Sequence, residues 1–152
     1  MSGTIRLGDP VAQSGQTDLA TAHQSLAALA CNTQITTDLG GAALGEGVHC
    51  ASGAATLTGT LTLSGNANSV FVIRAGTSLT ATGTVVLVGG VQAKNVFWVV
   101  GGSATLGNTT QWRGNILALS AITLGNNVTV VGRALARNGA VSLGNADTIT
   151  LP

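Results

Sequence analysis

A four-residue signature occurs three times in the second half of the chain. Thr105-Leu106-Gly107-Asn108 is followed by Thr123-Leu124-Gly125-Asn126 and then by Ser142-Leu143-Gly144-Asn145, at offsets of 18 and 19 residues. The residues behind the signature agree as well, since Gly114-Asn115-Ile116-Leu117-Ala118-Leu119 falls over Gly132-Arg133-Ala134-Leu135-Ala136-Arg137. Upstream, Ala55-Thr56-Leu57 and Ser78-Leu79 fit the same slot with longer insertions. Repeats built from helix pairs are much longer, and a propeller blade takes about twice this length. A period this short matches one coil of a β-solenoid, with three short strands and three corners, each coil stacked on the next.

Side chains alternate in and out along a strand, so a register follows from the repeat. Taking Leu57, Leu79, Leu106, Leu124 and Leu143 as one inward column, the outward positions read Thr60 and Thr62, then Thr82 and Thr84, Thr109 and Gln111, Asn127 and Thr129, and Ala146 and Thr148. A third outward column reads Ser64, Val86, Arg113, Val131 and Thr150. Between them point Leu63, Val85, Trp112, Val130 and Ile149, which are apolar as a core requires.

The region before the repeat has a different character. Asp9-Pro10 suits a helix start, with Asp as cap and Pro in the first turn. Leu19, Ala22, Leu26 and Leu29 then recur at helical spacing, which predicts one amphipathic helix over about residues 10–30 with an apolar docking stripe. Residues 32–51 are turn-rich, and from Ala54 short β-branched runs alternate with Gly and Asn. The expectation is a single mainly β domain over 1–152, with coils over about 54–152 and the helix packed along them.

Composition closes off several functions. Charged residues are 7% of the chain and the formal net charge is +1, which leaves no basic patch for nucleic acid. No apolar run is long enough for a membrane span, and the helix lacks the Lys and Arg of a membrane-surface element. The five acids are Asp9, Asp18, Asp38, Glu46 and Asp147, and only Asp147 lies in the repeats. A two-carboxylate glycosidase therefore has no pair to work with. His23 and His49 stand in no catalytic or metal-binding spacing, so neither an enzyme nor a cofactor or metal site is expected. Cys31 and Cys50 flank a polar stretch and read either as a disulfide or as two buried thiols.

A Thr-x-Thr ladder on a flat solenoid face makes a grid of methyl and hydroxyl groups, with neighbours ~4.7–4.9 Å apart across strands and two residues apart along them. Thr is stiff at its first torsion, so holding the grid costs little entropy. Such a surface can order water. The bland alternative is that Thr is simply a good strand former on an exposed face.

The sequence also resembles the DUF3494-type ice-binding protein family. The resemblance rests on Thr37-Asp-Leu-Gly-Gly, Gly47-Val-His-Cys, Leu57-Thr-Gly-Thr-Leu-Thr-Leu63 and Val70-Phe-Val-Ile73. It is strongest in Asn95-Val-Phe-Trp98, Ser103-Ala-Thr-Leu-Gly107, Gly114-Asn-Ile-Leu-Ala118 and Gly132-Arg-Ala-Leu-Ala-Arg-Asn-Gly-Ala-Val141. It runs from about Gly3 to the C-terminus.

The resemblance implies a right-handed triangular β-helix with one long helix along it, adsorption of a flat face to ice, and a secreted or cell-surface setting. Relatives carry further solenoid segments before the helix, so the chain is expected to be short at that end. Lys94 takes a slot often held by Cys in relatives, which leaves Cys31 as the candidate partner of Cys50. The family's ice-facing pattern, loosely Thr-(Ala/Gly)-x-(Thr/Asn), is best kept in Thr80-Ala-Thr-Gly-Thr84, while Gln111, Arg113 and Val131 interrupt it.

The resulting expectation is a non-enzymatic, monomeric protein whose partner is an ice crystal surface. Its ice-contact residues would be Thr60, Thr62, Thr82, Thr84, Thr109, Asn127, Thr129 and Thr148. The rival is a structural or adhesive cell-surface solenoid without ice activity.

Overall fold

The computed structural model of the chain describes residues 31–35 and 38–150. The helix expected over about residues 10–30 lies outside them. What is described is a β-solenoid of short parallel strands that visit three faces in turn.

The first face holds β1 (Thr33–Gln34), β3 (Gly47–Ala51), β6 (Phe71–Ala75), β9 (Val96–Val100), β12 (Asn115–Ala118) and β15 (Ala134–Ala136). The second holds β4 (Ala55–Leu57), β7 (Leu79–Ala81), β10 (Ala104–Leu106), β13 (Ile122–Leu124) and β16 (Val141–Ser142). The third holds β2 (Ala43–Leu44), β5 (Thr60–Ser64), β8 (Thr84–Val88), β11 (Gln111–Arg113), β14 (Thr129–Val131) and β17 (Thr148–Thr150). Each strand pairs only with the strands one coil before and after it, and every pairing is parallel.

The core is the inside of this triangle. Leu57, Ala81, Leu106 and Leu124 stack down the second face, Leu61, Val85, Trp112 and Val130 down the third, and Ile73, Trp98 and Ile116 down the first. Trp98 and Trp112 meet with ring centroids 4.3 Å apart, and the Trp98 indole donates to the Arg113 carbonyl at 3.1 Å. Burial of these columns is the main source of stability, because three-residue strands have few ladder bonds of their own. The inward column opens at the last coil. Leu143 is 45% exposed, where Leu124 one coil earlier is 3% exposed.

Two expectations change. Among the described residues solenoid strands are present from Thr33–Gln34, ahead of Ala54, because the Gly- and Asn-rich stretch before Ala54 makes short strands as well as turns. The leucine column also shifts in one coil. Leu57 pairs with Ala81, and Leu79 lies between Ala55 and Ala104. The outward positions counted forward from the leucines slip as well, and there the physical reason is corner length. The turn from second to third face takes residues 58–59 and 82–83 in two coils, but 107–110 and 125–128 in the next two. No fixed offset from the leucines can therefore follow one column through all the coils. The slip is two residues, one strand period, so the in/out assignment survives.

Cys31 and Cys50 are joined in a disulfide, with a sequence separation of 19. Cys50 lies on β3 of the first face.

Candidate functional site

The eight residues expected to form the site divide between two locations. Thr60, Thr84, Thr129 and Thr148 share one outward column of the third face with Gln111, through the pairings Thr60 to Thr84, Thr84 to Gln111, Gln111 to Thr129 and Thr129 to Thr148. Thr62 stands in the neighbouring column opposite Val86. Thr82, Thr109 and Asn127 are on no strand; they sit in the corner between the second and third faces. Thr109 and Asn127 have φ of 64° and 59°, a left-handed turn conformation.

The third face is therefore only partly a Thr surface. Val86 and Val88 are exposed on it, and Arg113 shares its strand with Gln111. The first face offers little free surface in its middle. Val72, Val99 and Leu117 lie outside the core cluster yet are nearly fully buried, as is Cys50.

The second face is different. Its strands carry the burial pattern buried–exposed–buried in β4, β7, β10 and β13, and the exposed residue is Thr each time. Thr56 pairs with Thr80, Thr80 with Thr105, Thr105 with Thr123, and Thr123 with Ser142. The result is an unbroken column of five exposed hydroxyl residues, spaced by the strand separation of ~4.7–4.9 Å.

The flanking column is made of small residues. Ala55 donates to the Ser78 carbonyl, Leu79 to Ser103, Ala104 to Ala121 and Ile122 to Ala140, which sets Ala54, Ser78, Ser103, Ala121 and Ala140 in line. No strand of this face carries a charged residue. Counting forward from the leucines passes over the hydroxyl column. Its signal was present one residue before them, as the first letter of the repeated Thr-Leu-Gly-Asn.

The edge of this face is braced by side chains that accept backbone N–H groups. Asn108 Oδ1 accepts from Asn126 N at 2.8 Å, and Asn126 Oδ1 accepts from Asn145 N at 2.9 Å. Asp147 accepts from Val128 N and Gly144 N at 2.9 and 2.6 Å. At the other end Asp38 accepts from the Thr58 hydroxyl, from Gly40 N at 2.7 Å and from Thr58 N at 2.9 Å. The Thr58 hydroxyl first, then the Gly40 and Thr58 amides, hold the Asp38 carboxyl below its ordinary pKa. Among the described residues no three His, Cys, Asp or Glu side chains gather where they would hold a metal.

An array of hydroxyls and methyls on strands without a charged residue offers no group for acid–base chemistry. What it can do is hold an ordered layer of water.

The chain matches the family model described as ice-binding-like over residues 1–150. An ice-binding protein of Nostoc sp. (strain HG1) is 47% identical over 148 residues, covering 94% of this chain and 55% of the relative. The crystal structure of an ice-binding protein from the Antarctic ascomycete Antarctomyces psychrotrophicus superposes with a TM-score of 0.93 at 34% identity, over 98% of this chain and 75% of that one. An ice-binding protein from an Antarctic biological consortium gives 0.91 at 35% identity, over 95% and 68%. The chain thus spans about half the length of the Nostoc relative.

Proposed function

The chain belongs to the ice-binding-like family, and from that premise we propose that it adsorbs to ice through its second face and thereby inhibits ice growth or recrystallisation. The observation that carries this reading is the in-register column Thr56, Thr80, Thr105, Thr123 and Ser142. Each member is β-branched or small and each is exposed, and the four threonines are each held by a buried residue on either side, so that part of the array is stiff before ice is met. Preorganisation of this kind lowers the entropy cost of binding. The absence of charge on these strands serves the same end, because an ionised side chain holds its own hydration shell against the lattice.

The protein acts as a binding protein, not an enzyme, and one copy presents the whole column, so a monomer suffices. The Cys31–Cys50 disulfide supports a working place outside the reducing cytosol, secreted or at the cell surface. Among the described residues no helix is long and apolar enough to cross a membrane.

A second reading puts the contact on the third face, favoured by the register of Thr60, Thr84, Gln111, Thr129 and Thr148. Paired substitutions separate the two. Thr123→Tyr should abolish most ice shaping in a nanolitre osmometer, with stability changed by no more than about 0.5 kcal/mol, as for a surface site. Thr129→Tyr should leave ice shaping intact. The opposite pattern would move the site to the third face, and no ice shaping by the unsubstituted protein would favour the adhesive solenoid.

A further inference from the structure

The corner between the second and third faces carries a row of asparagines whose side chains do two things at once. A backbone N–H can only donate, so the side-chain atom that meets Asn126 N at 2.8 Å must be the Asn108 carbonyl oxygen, and the atom that meets Asn145 N at 2.9 Å must be that of Asn126. The amide is planar, so fixing the oxygen against the backbone fixes where the nitrogen points. Asn108, Asn126 and Asn145 are all exposed, and among the described residues no group takes up the Nδ2 of any of them. The two earlier coils turn this corner in two residues, Thr58–Gly59 and Thr82–Gly83, and a side chain on Gly83 would collide with the Gly59 backbone. In those coils the preceding residues are Thr58, whose hydroxyl donates to Asp38, and the exposed Thr82.

We infer that Asn108 and Asn126 are positioning residues for the ice-contact face: each carbonyl locks the corner of the next coil, and the same lock turns the amide NH2 groups outward as an uncharged, donor-only edge beside the Thr column. The inference rests on the reading of the second face as the ice-contact face. A hydroxyl donates or accepts as its neighbour demands, whereas a locked NH2 can only donate. The edge therefore admits one orientation of the water molecules it meets, and it extends the array beyond the strands in the coils where the corner is longest.

The two halves of the inference separate experimentally. Asn126→Asp keeps an oxygen for Asn145 N, as the Asp38 carboxylate does for Thr58 N, but puts a charged acceptor where the NH2 stood. Asn126→Ala removes both. Thermal melts and recrystallisation-inhibition endpoints would be measured on both variants and on the parent protein. The Asp variant should melt with the parent and need a severalfold higher endpoint concentration. The Ala variant should need as much and also melt roughly 2–4 °C lower, as for one lost hydrogen bond in a domain of this size. An Asp variant as active as the parent overturns the donor edge, and an Ala variant with an unchanged melt overturns the lock. A parent that does not inhibit recrystallisation defeats the ice reading itself, while the melts still decide the lock.

Discussion

Thr109, Asn127 and Ala146 occupy equivalent points of three successive corners and share a left-handed backbone, with φ of 64°, 59° and 60°. For an L-residue this conformation costs roughly 1–2 kcal/mol, and Asn bears it best because its short side chain bonds locally. The three residues thus differ in suitability for one geometry. Ala146→Asn should raise the unfolding free energy by about 0.5–1 kcal/mol in urea titrations. A destabilised variant would mean that the last corner is set by something other than its backbone.

The elements are too short to stand alone. A three-residue strand becomes a strand because its neighbours above and below complete its hydrogen bonds and cover its inward side chains. The earliest described coil has two-residue strands at β1 and β2, and it is fastened by Asp38. Asp38 has a folded-state pKa below its unfolded value of ~3.9. Its contribution is therefore present above the unfolded value and fades as pH falls through the lower folded value. Acid titration followed by amide hydrogen exchange should show residues around Gly40 and Thr58 losing protection before the middle coils do. In Asp38→Asn that acid step should vanish. Acid loosening of all coils together would assign the pH dependence elsewhere.

The whole molecule is a stack, stabilised coil against coil, with one covalent link among its described residues. The Cys31–Cys50 bridge closes a loop with a sequence separation of 19, and a loop of that order constrains the unfolded chain by about 3 kcal/mol. Cys31→Ser with Cys50→Ser should lower stability by about that amount. Because Cys50 belongs to the first face, ice shaping near the freezing point should persist in the double variant, where the remaining stability suffices. Simultaneous loss of fold and activity in the cold would show that the tether is needed to build the coils at all. The separation of a bonded first face, a hydroxyl second face and a mixed third face also lets stability and function be altered independently.

The repeat of Thr-Leu-Gly-Asn at 18–19 residues was enough to determine a three-stranded solenoid coil, and the alternation of apolar and polar residues was enough to say which side chains point inward. Both are local properties: a strand period of two and a fixed coil length leave no other arrangement that buries the leucines. Which outward residues share a face was not local. It depended on corners of two residues in some coils and four in others, and only the stacked pairings of Thr84 with Gln111 and of Thr80 with Thr105 reveal that difference. Thr60, Thr84, Thr129 and Thr148 were correctly read as outward, whereas Thr82, Thr109 and Asn127 proved to be corner residues. The column at Thr56, Thr80, Thr105 and Thr123 emerged only from register, because a face is defined by hydrogen bonds between residues a full coil apart, and sequence offsets do not count the residues spent in turning.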